Sequence, residues 1–133
     1  MDRAGEILRR LKKKYPSPRI ALQSRTPFEL LVATILSAQC TDARVNLVTE
    51  GLFKKYRTPQ DYARVKSVAL EQEIRSTGFY RNKARNIIAA AKKIVADFGG
   101  NVPRTMPELL TLPGVARKTA NVVLYSAFGV NEG

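Results

Sequence analysis

Three times in this chain a threonine precedes a proline just where an apolar run begins, and each pairing fixes the start of a helix. In Thr26-Pro27-Phe28-Glu29, threonine stands as N-cap and proline takes the first helical position, where no amide is needed. Glutamate three residues after the cap closes a capping box. Thr58-Pro59 repeats the cap-then-proline signal. Thr105-Met106-Pro107-Glu108 reads as a second capping box, opening a short helix that ends just before Pro113. Between these starts the apolar residues recur at helical spacing. Leu30 to Leu36 is apolar on nearly every side, which belongs in the middle of a core. Ser37-Ala38-Gln39-Cys40-Thr41-Asp42 interrupts it, and Thr41 or Asp42 can cap a helix running through Tyr56, with Val45, Val48, Leu52 and Phe53 as its buried stripe. Ser67 is expected to cap a further helix carrying Val68, Leu70 and Ile74, with Gly78 just past its end. From Arg81 to Phe98 the residues Ala84, Ile87, Ile88, Ala91, Ile94, Val95 and Phe98 repeat until Gly99-Gly100 stops them. Upstream, Asp2 can cap a helix with Ile7, Leu8, Leu11 and Tyr15 on one stripe. Pro16-Ser17-Pro18 then begins an extended linker to about Arg25. No segment alternates as a strand does, so the fold class is all-α with short connections.

With 133 residues the chain is expected to form one core, and its 23 Lys and Arg against 11 Asp and Glu give a formal charge of +12. An excess of that size favours a polyanionic partner, DNA or RNA, although a basic surface can also be merely solvated. The sequence contains no histidine and a single cysteine, Cys40. Imidazole catalysis, histidine metal ligation, an internal disulfide and a cysteine cluster built by this polypeptide alone are therefore excluded. The apolar runs are too short to span a membrane and Met1-Asp2-Arg3-Ala4-Gly5-Glu6 is charged, so no membrane association and a cytoplasmic or nucleoid location are expected.

Leu112-Pro113-Gly114-Val115-Ala116-Arg117-Lys118-Thr119-Ala120 reads as a tight turn feeding a helix. Pro113 pre-sets the first φ of the turn and Gly114 can take a positive φ. The amides that follow have no partner at the helix start and form a ready phosphate site. Counting 100° per residue places Ala120, Val123, Leu124, Ala127 and Phe128 on the core side and turns Lys118 outward, near Asn121, Val122 and Tyr125. Partial desolvation, the helix dipole and neighbouring cations would each lower the pKa of its amine, and a deprotonated lysine is a nucleophile able to form a Schiff base. The plainer reading is phosphate contact, and spacing does not separate Lys118 from Arg117.

The stretch Leu112 to Leu124 resembles the helix-hairpin-helix signature of the endonuclease III family of DNA repair glycosylases. Three other stretches match in order. Ser24 to Leu31 is similar to that family's first core helix, Leu36-Ser-Ala-Gln-Cys-Thr-Asp42 to its pocket and intercalation segment, and Thr77-Gly-Phe-Tyr-Arg-Asn-Lys-Ala84 to its second DNA-probing loop. The resemblance implies an all-α fold in which a six-helix barrel, residues 26–133, carries the hairpin at about 107–128. Residues 1–25 would belong with a cluster-bearing region. It implies a bifunctional enzyme that removes oxidised pyrimidines from double-stranded DNA and cleaves the abasic strand, acting as a monomer with Lys118 as Schiff-base nucleophile. Gln39 would fill the space left by the flipped nucleotide and Phe79, where relatives often carry leucine, would act as a wedge. Thr41, Asp42, Pro113, Gly114, Ala116, Arg117 and Thr119 complete the expected DNA contacts. Gln39 could instead satisfy a helix end, and Phe79 could pack in the core.

Ala116 stands where the hairpin motif usually has its second glycine, and is tolerable there if its φ is helical. The family's catalytic aspartate, in a Val-Asp-Thr-His segment, and its four cysteines are expected beyond Gly133. A [4Fe–4S] cluster is thus implied for the full-length family and not for this chain's own residues. A non-catalytic helix-hairpin-helix DNA-binding domain is the alternative. A protein-interaction module built from helix pairs is disfavoured because it would not need the glycine hairpin.

Overall fold

The computed structural model describes residues 22–129, so the expected helix at residues 2–15 and most of the linker lie outside the described residues. Thr26 caps the first described helix, α1 (Pro27–Leu36), its side chain accepting from the Glu29 amide. The Glu29 carboxylate reaches back to the amide of Arg25 instead of that of Thr26, so the box is displaced by one residue. Seven of the ten residues of α1 are buried, Leu31, Ala33 and Leu36 completely. Burying each large apolar side chain contributes about 1.5–3 kcal/mol, so this helix is the centre of the core.

Thr41, not Asp42, caps α2 (Asp42–Lys55), which buries Val45, Thr49 and Leu52 and leaves Val48 and Phe53 half-buried. Thr58 opens α3 (Pro59–Arg64) with a reciprocal capping box made with Asp61. Two amides, of Arg57 and Thr58, donate to the Asp61 carboxylate and hold its pKa below the ordinary aspartate value. Tyr62 on this helix is buried against Phe28 and Tyr56, with ring centroids 5.3 and 5.2 Å away. Burial pushes its phenol pKa strongly upward.

Helix α4 (Ser67–Ile74) departs from expectation at its start. Ser67 is its first residue, Lys66 stands at the cap without a side-chain bond, and the Ser67 hydroxyl donates to Glu71 one turn on. Val68 faces solvent, while Leu70 and Ile74 are buried. A single 3₁₀ turn, Arg75–Thr77, leads to Gly78. Helix α5 (Tyr80–Asp97) then packs against α3 and α4, with Ala84, Ile87, Ala91 and Ile94 inward as their spacing requires.

Helix α6 (Met106–Leu109) is shorter than expected. After Leu109 the chain tightens into three-residue bonds, from Thr111 to Glu108 and from Leu112 to Leu109, and Pro113 stands beyond that turn. Thr105 caps α6, but the Glu108 carboxylate accepts from the Thr105 hydroxyl rather than from its amide. Helix α7 (Arg117–Phe128) returns to pack on α1, burying Ala120, Val123 and Leu124, with Ala127 and Phe128 half-buried. Among the described residues every regular element is helical, and no helix is long and apolar enough to cross a membrane.

Candidate nucleic-acid interface

The hairpin between α6 and α7 is pinned from inside by Leu112 and Val115, both buried, with the Val115 amide bonded to the Leu112 carbonyl at 3.2 Å. Pro113 between them is half-buried. Gly114 has φ +79°, and a Cβ there would stand 2.7 Å from the Cβ of Asn86 on α5. Ala116 is the N-cap of α7 with φ −91° and ψ 174°. That corrects the expectation of a helical φ: the backbone is extended, and a negative φ accepts alanine without strain. No side chain caps α7, and its first backbone bond runs from the Ala120 amide to the Ala116 carbonyl. The amides of Arg117, Lys118 and Thr119 therefore face outward at the positive end of a twelve-residue helix, the geometry that receives a phosphate. Arg117 and Lys118 are exposed and Thr119 is half-buried. The enclosure expected to desolvate Lys118 is not built by the described residues.

Among the described residues two non-glycines have positive φ, Gln39 at 53° and Phe79 at 47°. Each such residue costs on the order of 1–3 kcal/mol and persists only where its surroundings over-determine it. Gln39 is exposed in the turn between α1 and α2; Phe79, 62% exposed, is the N-cap of α5. The core reading of Phe79 is thereby excluded, and a large aromatic ring is held out on a rigid helix end. Beside it, the guanidinium groups of Arg75 and Arg81 lie over the Tyr80 ring, 5.3 and 5.2 Å from its centroid.

Lys83, one turn into α5, joins the two turns. It is 5% exposed, and its Nζ donates to the Leu36 carbonyl at 2.8 Å and the Thr77 carbonyl at 2.9 Å. Burial lowers its pKa from the usual lysine value, opposed by the neighbouring Cys40.

Gln39, Phe79 and Gly114 line one cavity of about 240 Å³, together with Ile35, Ala38, Asn82, Lys83 and Asn86. Three sequence-predicted residues from three distant stretches thus meet in one groove, and among the described residues no carboxylate lines it. Lys118, Arg117, Ala116 and Thr119 stand beyond Gly114 on the start of α7, and are not among the groove's walls. Thr41 is exposed and accepts the Arg44 amide; Asp42 is half-buried in the first turn of α2. The observed contacts of both are those of a helix start. A larger cavity, about 580 Å³, lies elsewhere, between the start of α1, Arg57 and Arg104, and none of the predicted residues lines it. Sequence reasoning missed Lys83, Asn82 and Asn86. The signal for Lys83 was present, since a lysine four residues before Ile87 falls on the apolar stripe of α5.

Among the described residues no three of His, Cys, Asp and Glu come together as a metal-binding group. Cys40 is half-buried beside Gln39, and a cluster held by four thiolates does not fit this chain's residues.

Residues 32–129 match the HhH-GPD superfamily, described as base excision DNA repair proteins. The chain is 59% identical over 132 residues to endonuclease III of Synechocystis sp., covering 99% of this chain and 60% of that protein. Its structure is similar to that of a non-covalent endonuclease III–DNA complex, with a TM-score of 0.84 and 54% identity over 96% of this chain and 60% of the other. A trapped endonuclease III–DNA covalent intermediate with an estranged adenine matches with the same score, identity and coverage. The chain thus spans about 60% of the length of these relatives.

Proposed function

The chain belongs to the HhH-GPD superfamily of base excision DNA repair proteins, and from that premise we propose that it carries the barrel and hairpin of a bifunctional DNA glycosylase and abasic-site lyase of the endonuclease III type. The substrate class is double-stranded DNA bearing an oxidised pyrimidine or an abasic site, bound by one monomer in the cytoplasm or nucleoid. The observation that carries this reading is the groove in which exposed Gln39 and Phe79, both in left-handed backbone, meet Gly114 of the hairpin. A phosphate-binding helix start and two probing side chains on one face are what extruding a nucleotide requires. The hairpin amides of Arg117, Lys118 and Thr119 grip a phosphate. Phe79 wedges into the stack, and the Gln39 amide, which both donates and accepts, pairs with the base left behind.

In the chemical step the free amine of Lys118 attacks C1′ of the flipped nucleotide, and the C1′–N glycosidic bond breaks. The base leaves with its electron pair and takes up a proton. The sugar ring then opens as the C1′–O4′ bond breaks and O4′ takes up a proton, leaving an imine between C1′ and the lysine nitrogen; the imine acidifies C2′, loss of a C2′ proton expels the 3′ phosphate, and water then releases the lysine. Borohydride trapping on a duplex with one abasic site tests the assignment. The unaltered protein is expected to give a covalent adduct and Lys118→Gln none; equal trapping by both removes Lys118 as the nucleophile. The phosphate-receiving start of α7, which needs no chemistry at Lys118, supports a second reading, a non-catalytic DNA-binding domain. Retained binding with no trapping by either protein would select it.

A further inference from the structure

Gln39 and Phe79 come from turns 40 residues apart in sequence, yet their function as a pair depends on a fixed spacing between them. Each turn is held by its own local bonds, and these do not fix its distance from the other. The Ala38 amide bonds the Ile35 carbonyl and the Cys40 amide the Ser37 carbonyl in the first turn, and the Gly78 amide bonds the Arg75 carbonyl and the Thr77 hydroxyl the Ile74 carbonyl before the second, but none of these bonds joins one turn to the other. One buried group touches both. The Lys83 ammonium bonds the carbonyl of Leu36, three residues before Gln39, and that of Thr77, two residues before Phe79. It occupies the same helix face that, one turn later, presents Asn86 against Gly114. We propose that Lys83 is a positioning residue: its ammonium ties the Gln39 turn to the Phe79 turn and sets the spacing at which the two side chains enter a duplex. This inference rests on the reading of Gln39 and Phe79 as DNA-probing residues. Lys83 itself touches no reacting atom in it.

The geometry makes the charge at Lys83 specific. An ammonium carries three N–H donors on one nitrogen at the end of a four-carbon stem and can serve two carbonyls that point at the same place; a methionine of similar length has no donor, and a glutamine amide with its two donors is one bond shorter. If core filling were its only duty, methionine, equally long and unbranched, would replace it.

The test compares the protein at its natural full length with Lys83→Met and Lys83→Arg, on two duplexes of the same sequence, one intact and one with a single abasic site opposite 2-aminopurine. Thermal melts establish folding. Lys83→Met is expected to bind the intact duplex as the unaltered protein does, since the hairpin is unchanged. It should lose about 10- to 100-fold of the preference for the abasic duplex, the scale of one lost base–aromatic stack. The 2-aminopurine brightening that accompanies entry of Gln39 and Phe79 should disappear with it, and Lys83→Arg should recover part of both. In a Gln39→Ala/Phe79→Ala background, Lys83→Met should have no further effect on the preference. Unchanged preference and unchanged fluorescence in Lys83→Met overturn the proposal, as does an equal loss on both duplexes, which marks a purely structural role. If Lys83→Met does not melt cooperatively, Lys83→Gln, which is shorter and uncharged, is judged by the same criteria. Absence of any abasic preference in the unaltered protein overturns the reading of Gln39 and Phe79 themselves, and is distinguished by needing no variant.

Discussion

At Gly114 a φ of +79° and an Asn86 Cβ 2.7 Å from where a methyl group would stand act on one position by different means. The first penalises any side chain through the backbone; the second forbids the methyl because α5 lies against the hairpin. At Ala116, two residues on, neither applies, because its φ is negative and it is exposed. Gly114→Ala is therefore expected to destabilise the protein by about 2 kcal/mol, summing backbone strain and the displaced Asn86. The melting temperature should fall by roughly 5–10 °C, and affinity for duplex DNA should drop because the α7 amides move with the turn. Ala116→Gly should be near neutral, since the gain of a glycine N-cap offsets the added freedom of the unfolded chain. Differential scanning calorimetry and a binding titration on the two variants check both. Equal effects would mean that the hairpin does not depend on the Gly114 geometry.

The helix starts show which local signals survive in the folded chain. Thr58 and Asp61 form the full reciprocal box, whereas Ser67 lies one residue inside α4 and bonds Glu71. Thr58→Ala is expected to cost about 1–2 kcal/mol in urea unfolding, and Ser67→Ala less than about 0.5 kcal/mol. The box also has a sign in pH. Because the folded-state pKa of Asp61 is depressed, its contribution is complete above the unfolded aspartate value of about 4 and is lost as pH falls below it. Asp61→Asn should flatten that acid loss; an unaltered acid limb would show that the carboxylate is not held by the Arg57 and Thr58 amides. The helices and most of their inward faces were legible in sequence because caps, prolines and 3.6-residue spacing are local properties. Gln39, Phe79 and Gly114 were each singled out in sequence, and the fold brings these three into one groove. What stayed hidden depends on contacts across the chain. The bond from Lys83 to Leu36 crosses 47 residues, and the Asn86 contact behind Gly114 joins two helices. The left-handed backbone of Phe79 carries no residue signature, since nothing in phenylalanine favours it.

At the scale of the molecule, the disposition of charge decides how the groove meets a polyanion. The described carboxylates are largely engaged with helix starts or partners away from it: Glu29 and Asp61 accept backbone amides, Glu71 and Glu108 accept hydroxyls, Glu73 pairs with Lys55 and Asp97 with Lys93. Among the described residues no carboxylate lines the groove, while Arg75 and Arg81 lie at Tyr80 beside the Phe79 turn and Arg117 and Lys118 follow Gly114. Arg75, Arg81, Arg117 and Lys118 thus put positive charge beside the groove where the proposed duplex lies. If each of the three arginines, Arg75, Arg81 and Arg117, neutralises about one phosphate, the logarithm of affinity should fall with the logarithm of salt at a slope of about −2.7, or roughly 40-fold between ~50 and ~200 mM. Arg81→Ala and Arg117→Ala should each reduce the slope by about 0.9 and weaken intact and abasic duplexes alike, because phosphate contacts position without discriminating. Gln39→Ala and Phe79→Ala should do the reverse, leaving the slope unchanged and erasing the preference for the abasic duplex. Fluorescence anisotropy over a salt series separates the two classes. A flat salt response, or a slope that changes with Gln39→Ala and not with Arg117→Ala, would place the duplex on another face of the molecule.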